Sequence, residues 1–164
     1  MHLVGIVMGS QSDFSVVEPA IKLLKSFNLS VEVRVLSAHR TPEDAANYAK
    51  EAAERGVEVI IAAAGKAAHL PGVLAAYTIL PVIGLPIKSS TMDGLDSLLS
   101  IVQMPSGIPV ATVAINGSEN AALLAIQILA LKDADLAKAL KDYRTEMANN
   151  VRKQDKKIQE EIAR

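Results

Sequence analysis

The strongest constraint on the fold is a regular alternation of short apolar runs with segments that repeat at helical spacing. Leu3–Met8 is an apolar run that stops at Gly9, and Phe14–Phe27 then carries apolar residues at helical intervals. An uninterrupted apolar run is typical of a strand that is buried on both faces. The alternation therefore predicts helical crossovers between parallel strands, with helices on both faces of one sheet.

The same alternation continues to about residue 131. Further strands are predicted at Val31–Leu36, Val57–Ala63, Pro81–Leu85 and Pro109–Ala114. Further helices are predicted at Thr41–Arg55, from near Ala67 to Ala76, at Leu95–Gln103 and at Asn120–Leu131. The second helix of the chain has a typical beginning, because the Thr41 hydroxyl is a capping group and Pro42 suits the first helical position. We expect a three-layer α/β/α sandwich with a parallel sheet, of the flavodoxin-like class.

The segment 133–164 has a different character. It is polar, with apolar residues at intervals of three, four and seven, which predicts a long helix with a narrow apolar stripe. The stripe suits packing on the same domain, but we favour an arm that reaches a neighbouring subunit, because the sandwich already has its helices. The Asn120–Leu131 helix, apolar nearly all round, also indicates burial between subunits. We therefore divide the chain into an α/β domain, 1–132, and a helical arm, 133–164.

Composition excludes several classes of function. The 17 Lys and Arg residues against 18 Asp and Glu leave a net charge of −1, which offers no basic field for nucleic acid. Cysteine is absent, which excludes thiol catalysis, and the three histidines lack metal-ligand spacing. The N-terminus has no signal-peptide pattern, and prolines interrupt the uncharged stretch 67–87. We expect a cytoplasmic protein without a metal, a membrane span or a nucleic-acid partner.

The turn after the first predicted strand, Gly9–Asp13, suits a phosphorylated ligand. Ligands of parallel sheets bind beyond the carboxyl ends of the strands, so the turns at these ends are the candidate sites. The hydroxyls of Ser10 and Ser12 beside a helix N-terminus can hold a phosphate, and Asp13 can accept hydrogen bonds from sugar hydroxyls. The alternative is that Ser12 or Asp13 only caps the helix.

The turn after the second predicted strand contains Ser37, Ala38, His39 and Arg40. Arg40 at the beginning of a helix is a suitable clamp for phosphate, because it adds a full charge to the helix N–H groups. The imidazole of His39 can give and accept a proton near neutral pH. The alternative is that both are ordinary surface residues at a helix start.

The turn after the third predicted strand is rich in small residues. Gly65, Ala67 and Ala68 leave room for a flat ring against the backbone. His69 is either a second polar contact or a helix-capping side chain. Lys66 either meets a carboxylate or phosphate or points into solvent.

Four segments, in this order, resemble the class I PurE family: Gly9-Ser10-Gln11-Ser12-Asp13, Ser37-Ala38-His39-Arg40-Thr41-Pro42, Ala67-Ala68-His69-Leu70-Pro71-Gly72 and Asp96-Ser97-Leu98-Leu99-Ser100-Ile101-Val102-Gln103-Met104-Pro105. The resemblance extends from about residue 4 to residue 131. It implies conversion of N5-carboxyaminoimidazole ribonucleotide to the 4-carboxy isomer, without cofactor, metal or ATP, by loss of CO2 and its recapture at carbon 4. His39 matches the catalytic histidine that carries the proton. The alternatives are direct carboxylation of aminoimidazole ribonucleotide and a non-catalytic nucleotide-binding subunit.

The resemblance also implies roles for the other turn residues. Ser10, Asp13 and Arg40 would bind the ribose phosphate, with Ser12, Ser37 and Ala38 beside them. Gly65, Ala67, Ala68, His69 and Leu70 would surround the base and the carboxylate. The family is octameric with sites between subunits, so 103–105 would serve a neighbour's site. Lys66 departs from the family pattern, which usually has a second glycine there.

Overall fold

The protein is described here by a computed structural model that covers residues 2–163, and it contains one parallel five-stranded sheet in the order β2-β1-β3-β4-β5. The strands are β1 (Leu3–Met8), β2 (Ser30–Val35), β3 (Val57–Gly65), β4 (Val82–Ile87) and β5 (Ala111–Thr112). The helices are α1 (Phe14–Ser26), α2 (Pro42–Glu51), α3 (Leu70–Tyr77), α4 (Leu95–Val102), α5 (Ser118–Ala130) and α6 (Ala134–Ile162). This strand order is that of flavodoxin-like proteins, so the predicted sandwich is confirmed.

Two apolar cores lie on opposite faces of the sheet because side chains alternate along each strand. Ile6 of β1 is fully buried on one face, where the strands pack against α1, α5 and the beginning of α6. Val7, the next residue, is fully buried on the other face, against the layer formed by α2, α3 and α4. In β4, Gly84 leaves space that Ile101 of α4 fills, so that helix lies close to the sheet. Burial on both faces explains why the central strands are continuous apolar runs.

Three predicted boundaries were wrong. Helix α2 ends at Glu51 rather than Arg55, because the chain turns there: the N–H of Gly56 donates to the carbonyl of Ala53. Gly56 itself has a φ of +85°, which glycine adopts without steric cost. Helix α3 begins at Leu70, not near residue 67. Strand β5 is reduced to Ala111–Thr112 from the predicted six residues; Pro109 has no N–H to donate to a neighbouring strand.

Helix α5 is buried within its own chain. It lies against the sheet, α1 and α6, and Ala121, Ala125 and Ile126 are fully buried there. The apolar surface that indicated burial between subunits is therefore covered on these sides by the same protomer. Leu131, just after the helix, is 83% exposed.

Helix α6 has two parts with different surroundings. Leu136 and Leu140 belong to the core beside α5, and the ring of Tyr143 packs against Phe27 at a centroid distance of 5.7 Å. Beyond that point the apolar stripe continues in the open: its exposed members are Met147, Val151, Ile158 and Ile162. Among residues 2–163, neither this helix nor any other is long and apolar enough to cross a bilayer.

A histidine between two carboxylates fixes the beginning of α6. Asp133 caps the helix, because its Oδ1 accepts a hydrogen bond from the N–H of Leu136 at 2.9 Å. Its Oδ2 lies 3.0 Å from Nε2 of His2, while Nδ1 of the same ring lies 2.6 Å from Oε2 of Glu58. An imidazolium donates from both nitrogens, so the charged form of His2 satisfies both carboxylates at once.

Candidate active site

A cleft of about 640 Å³ lies at the carboxyl ends of β1, β2, β3 and β4. This is the edge of a parallel sheet at which ligands bind in open α/β proteins. The turns that follow the four strands form its walls. The residues that line it are Gly9, Ser10, Ser12, Asp13, Ser37, Ala38, His39, Arg40, Ala64, Gly65, Lys66, Ala67, His69, Leu70, Ile87, Lys88, Ser89 and Ser90.

The turn after β1 places two hydroxyls and a carboxyl in the cleft. Ser10 caps the short 3₁₀ turn Gln11–Asp13: its Oγ accepts from the N–H of Ser12 at 3.3 Å and from the Ser12 hydroxyl at 2.9 Å. The side chain of Asp13 makes no capping hydrogen bond to α1. Burial raises the pKa of the Asp13 carboxyl above its usual value, against the opposing effects of Ser12, the Ser10 backbone and the positive charge of Arg40.

Arg40 ties the second turn to the first. Its Nη2 donates to the carbonyl of Gly9 at 2.9 Å, and its Nε donates to Oγ of Ser37 at 3.4 Å. Thr41 does not cap α2 as its sequence suggested. Its hydroxyl accepts from the N–H of Ser37 and donates to the Ser37 carbonyl, so it closes the turn instead. These contacts hold the guanidinium beside the N-terminal turn of α1, where an anion would also meet helix N–H groups.

The two candidate histidines are in direct contact. Nε2 of His39 lies 2.9 Å from Nδ1 of His69, and the rings meet edge to face at a centroid distance of 5.0 Å. One ring must donate a proton and the other accept it, so a single proton lies between these nitrogens. His69 precedes α3 and makes no side-chain capping bond. The contact therefore supports the polar-contact reading of His69 rather than helix capping.

Two backbone hydrogen bonds close the turn after β3, which contains Lys66 and His69. The N–H of Ala68 donates to the carbonyl of Lys66, and the N–H of His69 donates to the carbonyl of Ala67, both at 2.8 Å. Lys66 has a φ of +57°, which a residue with a side chain rarely adopts. Ala68 does not line the cleft, although its segment predicted a binding residue. Its side chain is buried in the core on the face of α2 and α3.

Sequence reasoning missed the turn after β4. Lys88, Ser89 and Ser90 line the cleft together with Ile87. Nζ of Lys88 is paired with a carboxylate oxygen of Asp93 at 3.1 Å, and the Ser89 hydroxyl donates to Asp96 at 2.7 Å. The rule that drew attention to the other turns applies here too, since β4 is parallel and its carboxyl end is followed by a cation and two hydroxyls.

The site combines the guanidinium of Arg40 and several hydroxyls with a pair of imidazoles in contact. Every site residue predicted in the three turns lines this one cleft except Ala68. Hydroxyls, helix N–H groups and Arg40 form one end, and His39 and His69 stand beside the small-residue turn. Among residues 2–163, no group of three His, Asp or Glu side chains is placed to hold a metal ion. The fold and the cleft define a flavodoxin-like α/β protein with a cationic, hydroxyl-rich site beside two adjoining imidazoles.

Comparison with known proteins gives the family. The family model described as AIR carboxylase matches residues 3–150, so this chain belongs to that family. A Pyrococcus horikoshii protein named N5-carboxyaminoimidazole ribonucleotide mutase is 57% identical over 158 residues, which cover 96% of this chain and 89% of that protein.

Two further proteins are similar to this chain: one is a solved structure, and the other is a longer protein with a different name. The structure of Treponema denticola PurE aligns with a TM-score of 0.88 and 34% identity, over 96% of this chain and 98% of that one. A Candida glabrata protein named phosphoribosylaminoimidazole carboxylase is 51% identical over 157 residues. That match covers 96% of this chain but 28% of the Candida protein.

Proposed function

We propose that this protein is an N5-carboxyaminoimidazole ribonucleotide mutase of purine biosynthesis. It converts the N5-carboxylated ribonucleotide to its 4-carboxy isomer. The observation that carries the proposal is the contact of His39 with His69 in the cleft that Arg40 also lines, because an imidazole pair suits proton transfer and a guanidinium suits a phosphate. Relatives as similar as the Pyrococcus protein bear the same name.

His39 is the proton carrier of the proposed reaction. Its imidazolium protonates the ring-attached nitrogen as the bond from that nitrogen to the carboxylate carbon breaks, which releases CO2 and leaves aminoimidazole ribonucleotide. Carbon 4 of the ring then attacks the trapped CO2, and His39 removes the proton from carbon 4. The proton given equals the proton taken, and no electrons leave the substrate, so the reaction balances without an oxidant or a second substrate.

The phosphate and ribose occupy the end of the cleft formed by the first two turns. Arg40 and the N–H groups before α1 bind the phosphate, helped by the hydroxyls of Ser10, Ser12 and Ser37. Asp13 accepts hydrogen bonds from the ribose hydroxyls. Ala38 lines the same end and, being small, leaves the sugar room.

The base and the carboxylate occupy the other end of the cleft. Gly65 and Ala67 allow a flat ring to approach the backbone after β3, and Leu70 borders the same space. His69 holds the ring of His39 in place through their hydrogen bond. Lys66 lines this end and supplies its positive charge.

The working form is a homo-octamer in the cytoplasm. Trapped CO2 requires a site closed to water, whereas the cleft of one protomer is open and His39 is exposed. Apolar side chains on α4 and just before it are also exposed: they are Met92, Leu95, Leu99 and Val102. Contacts between protomers would cover these side chains and the exposed half of the arm 133–164, and would bring 103–105 to a neighbour's site.

Direct carboxylation of aminoimidazole ribonucleotide is the second candidate. The name of the Candida relative, a phosphoribosylaminoimidazole carboxylase, is the observation in its favour. The same cleft would serve, because both reactions join CO2 to carbon 4 and remove the proton there. The two differ in where the CO2 comes from.

Steady-state assays of wild type and His39→Asn separate the candidates. We expect wild type to form the 4-carboxy product from the N5-carboxylated substrate without added bicarbonate or ATP. In His39→Asn the turnover should fall roughly a hundredfold to ten-thousandfold, since a proton carrier contributes roughly 10²–10⁴ in rate. Isothermal titration should show that the variant still binds aminoimidazole ribonucleotide. Product formed only from that ribonucleotide and bicarbonate would favour the carboxylase, and undiminished turnover in His39→Asn would remove His39 from the mechanism.

A further inference from the structure

The cations that line the cleft differ in what already surrounds them. The guanidinium of Arg40 is bonded to the Gly9 carbonyl and to the Ser37 hydroxyl. The ammonium of Lys88 is paired with Asp93 at 3.1 Å. Within residues 2–163, the ammonium of Lys66 has no hydrogen-bond acceptor within 3.5 Å and no carboxylate oxygen within 4.0 Å. Lys66 therefore brings a positive charge to the cleft that the described part of the protein does not neutralise.

The backbone keeps this charge beside the proton carrier. Lys66 and His69 belong to one tight turn, which the bonds of Ala68 N–H to Lys66 and of His69 N–H to Ala67 close at 2.8 Å each. His69 in turn contacts His39 at 2.9 Å. A group held by the Lys66 ammonium would lie close to the two imidazoles, while the phosphate is bound at the other end by Arg40.

The backbone conformation of Lys66 also sets it apart. Four non-glycine residues among 2–163 have a positive φ: Asn28, Lys66, Asp93 and Asn116. Asn and Asp tolerate the left-handed region because their short polar side chains bond locally. A long cationic side chain gains nothing of that kind, so its presence in a left-handed turn at a ligand cleft points to a task for the ammonium.

We propose that Lys66 binds the migrating carboxylate of the substrate and makes this cleft select the carboxylated ribonucleotide over aminoimidazole ribonucleotide. The inference rests on the proposed function, in which both ligands carry the phosphate and one of them carries the second anion. The ammonium meets the carboxylate as a point charge on a flexible stem, so it follows the group from the exocyclic nitrogen to carbon 4. A phosphate contact would not discriminate between the two ligands.

Binding measurements on charge-removing variants test this inference. We expect Lys66→Met to raise the Kd of the 4-carboxy ribonucleotide about tenfold, the range of one partly exposed charge-assisted contact. The Kd of aminoimidazole ribonucleotide should stay within about twofold of the wild-type value, and Lys66→Arg should restore most of the preference. In kinetics, the KM of the N5-carboxylated substrate should rise while kcat changes less. Raising the ionic strength from about 0.1 M to about 1 M screens the ammonium. It should therefore reduce the ratio of the Kd of aminoimidazole ribonucleotide to that of the 4-carboxy ribonucleotide more in wild type than in Lys66→Met.

The matched control is Lys88→Met, which removes a cation from the same cleft that Asp93 already neutralises. The ratio of the two dissociation constants should not change in this variant. Equal weakening of both ligands by Lys66→Met, or no weakening of either, would overturn the role of Lys66 while leaving the mutase intact. A wild-type protein that binds neither ribonucleotide and turns over neither would instead overturn the proposed function, and this inference with it.

Discussion

Replacing Lys66 with glycine should stabilise the protein while impairing its preference for the carboxylated ligand. The φ of +57° puts Lys66 in the left-handed region, which costs an L-residue about 1–2 kcal/mol. Glycine removes that cost, but its greater conformational entropy in the unfolded chain lowers the stability again by about 0.5–1 kcal/mol. Lys66 is exposed, so the substitution should lose little packing. The net expectation is a gain of about 0.5–1 kcal/mol in the free energy of unfolding.

Urea unfolding of Lys66→Gly and Lys88→Gly measures this difference. Lys88 lines the same cleft, but its φ is not positive, so glycine relieves no strain there. That substitution also removes the pairing with Asp93, an exposed contact worth at most about 1 kcal/mol. Lys88→Gly should therefore destabilise by about 0.5–2 kcal/mol, and the two variants should move in opposite directions. In thermal unfolding Lys66→Gly should gain about 1–4 °C.

A loss of stability in Lys66→Gly comparable to that in Lys88→Gly would contradict this expectation. It would mean that Lys66 is not strained, or that its side chain stabilises the turn. The left-handed conformation of Lys66 would then no longer indicate a task for the ammonium.

Three further predictions concern the arm, its anchor and the phosphate clamp. Leu140→Ala should lower the free energy of unfolding by about 2–3 kcal/mol because the side chain is buried. Val151→Ala should change the unfolding free energy of the protomer by less than about 0.5 kcal/mol, because the side chain is exposed, and should reduce the size of the assembly in light scattering. The pKa of His2 is raised by Glu58, and also by its contact with Asp133. The extra stability of wild type over His2→Gln should therefore be full below pH 6.5 and disappear as the pH rises through the raised pKa. A difference in urea midpoint between the two proteins that stays the same at both ends of that range would contradict this. Arg40→Gln should raise the KM roughly ten- to a hundredfold, since it removes the charge that holds the phosphate; an unchanged KM would move the phosphate elsewhere.

The layer architecture could be predicted because it depends on local patterns. The run Leu3–Met8 is buried on both faces, and such burial leaves an unbroken apolar signature that needs no tertiary information. The end of α2 could not be predicted. Helical spacing continues to Arg55, but the turn that the chain needs in order to begin β3 stops the helix at Glu51.

The site could be predicted in part, because turns after parallel strands meet at one edge. His39 and Arg40 follow from that rule, and so would Lys88, whose turn was overlooked. The contact between His39 and His69 could not be predicted, since it joins positions thirty residues apart through side-chain orientation. The burial of Ala68 also depends on orientation, because its side chain lies in the core while its neighbours Ala67 and His69 line the cleft.

An isotope-labelling experiment tests the mutase reaction by following the carboxylate itself. The N5-carboxylated substrate is labelled with ¹³C in its carboxylate and incubated with wild-type protein in excess unlabelled bicarbonate, and the 4-carboxy product is examined by mass spectrometry. If the protein is a mutase, we expect most of the product to keep the label. The CO2 would stay in the cleft, closed by contacts between protomers, from its release until its capture at carbon 4. A product whose label matches the unlabelled bicarbonate pool would contradict the mutase and make the protein a carboxylase that takes CO2 from solution.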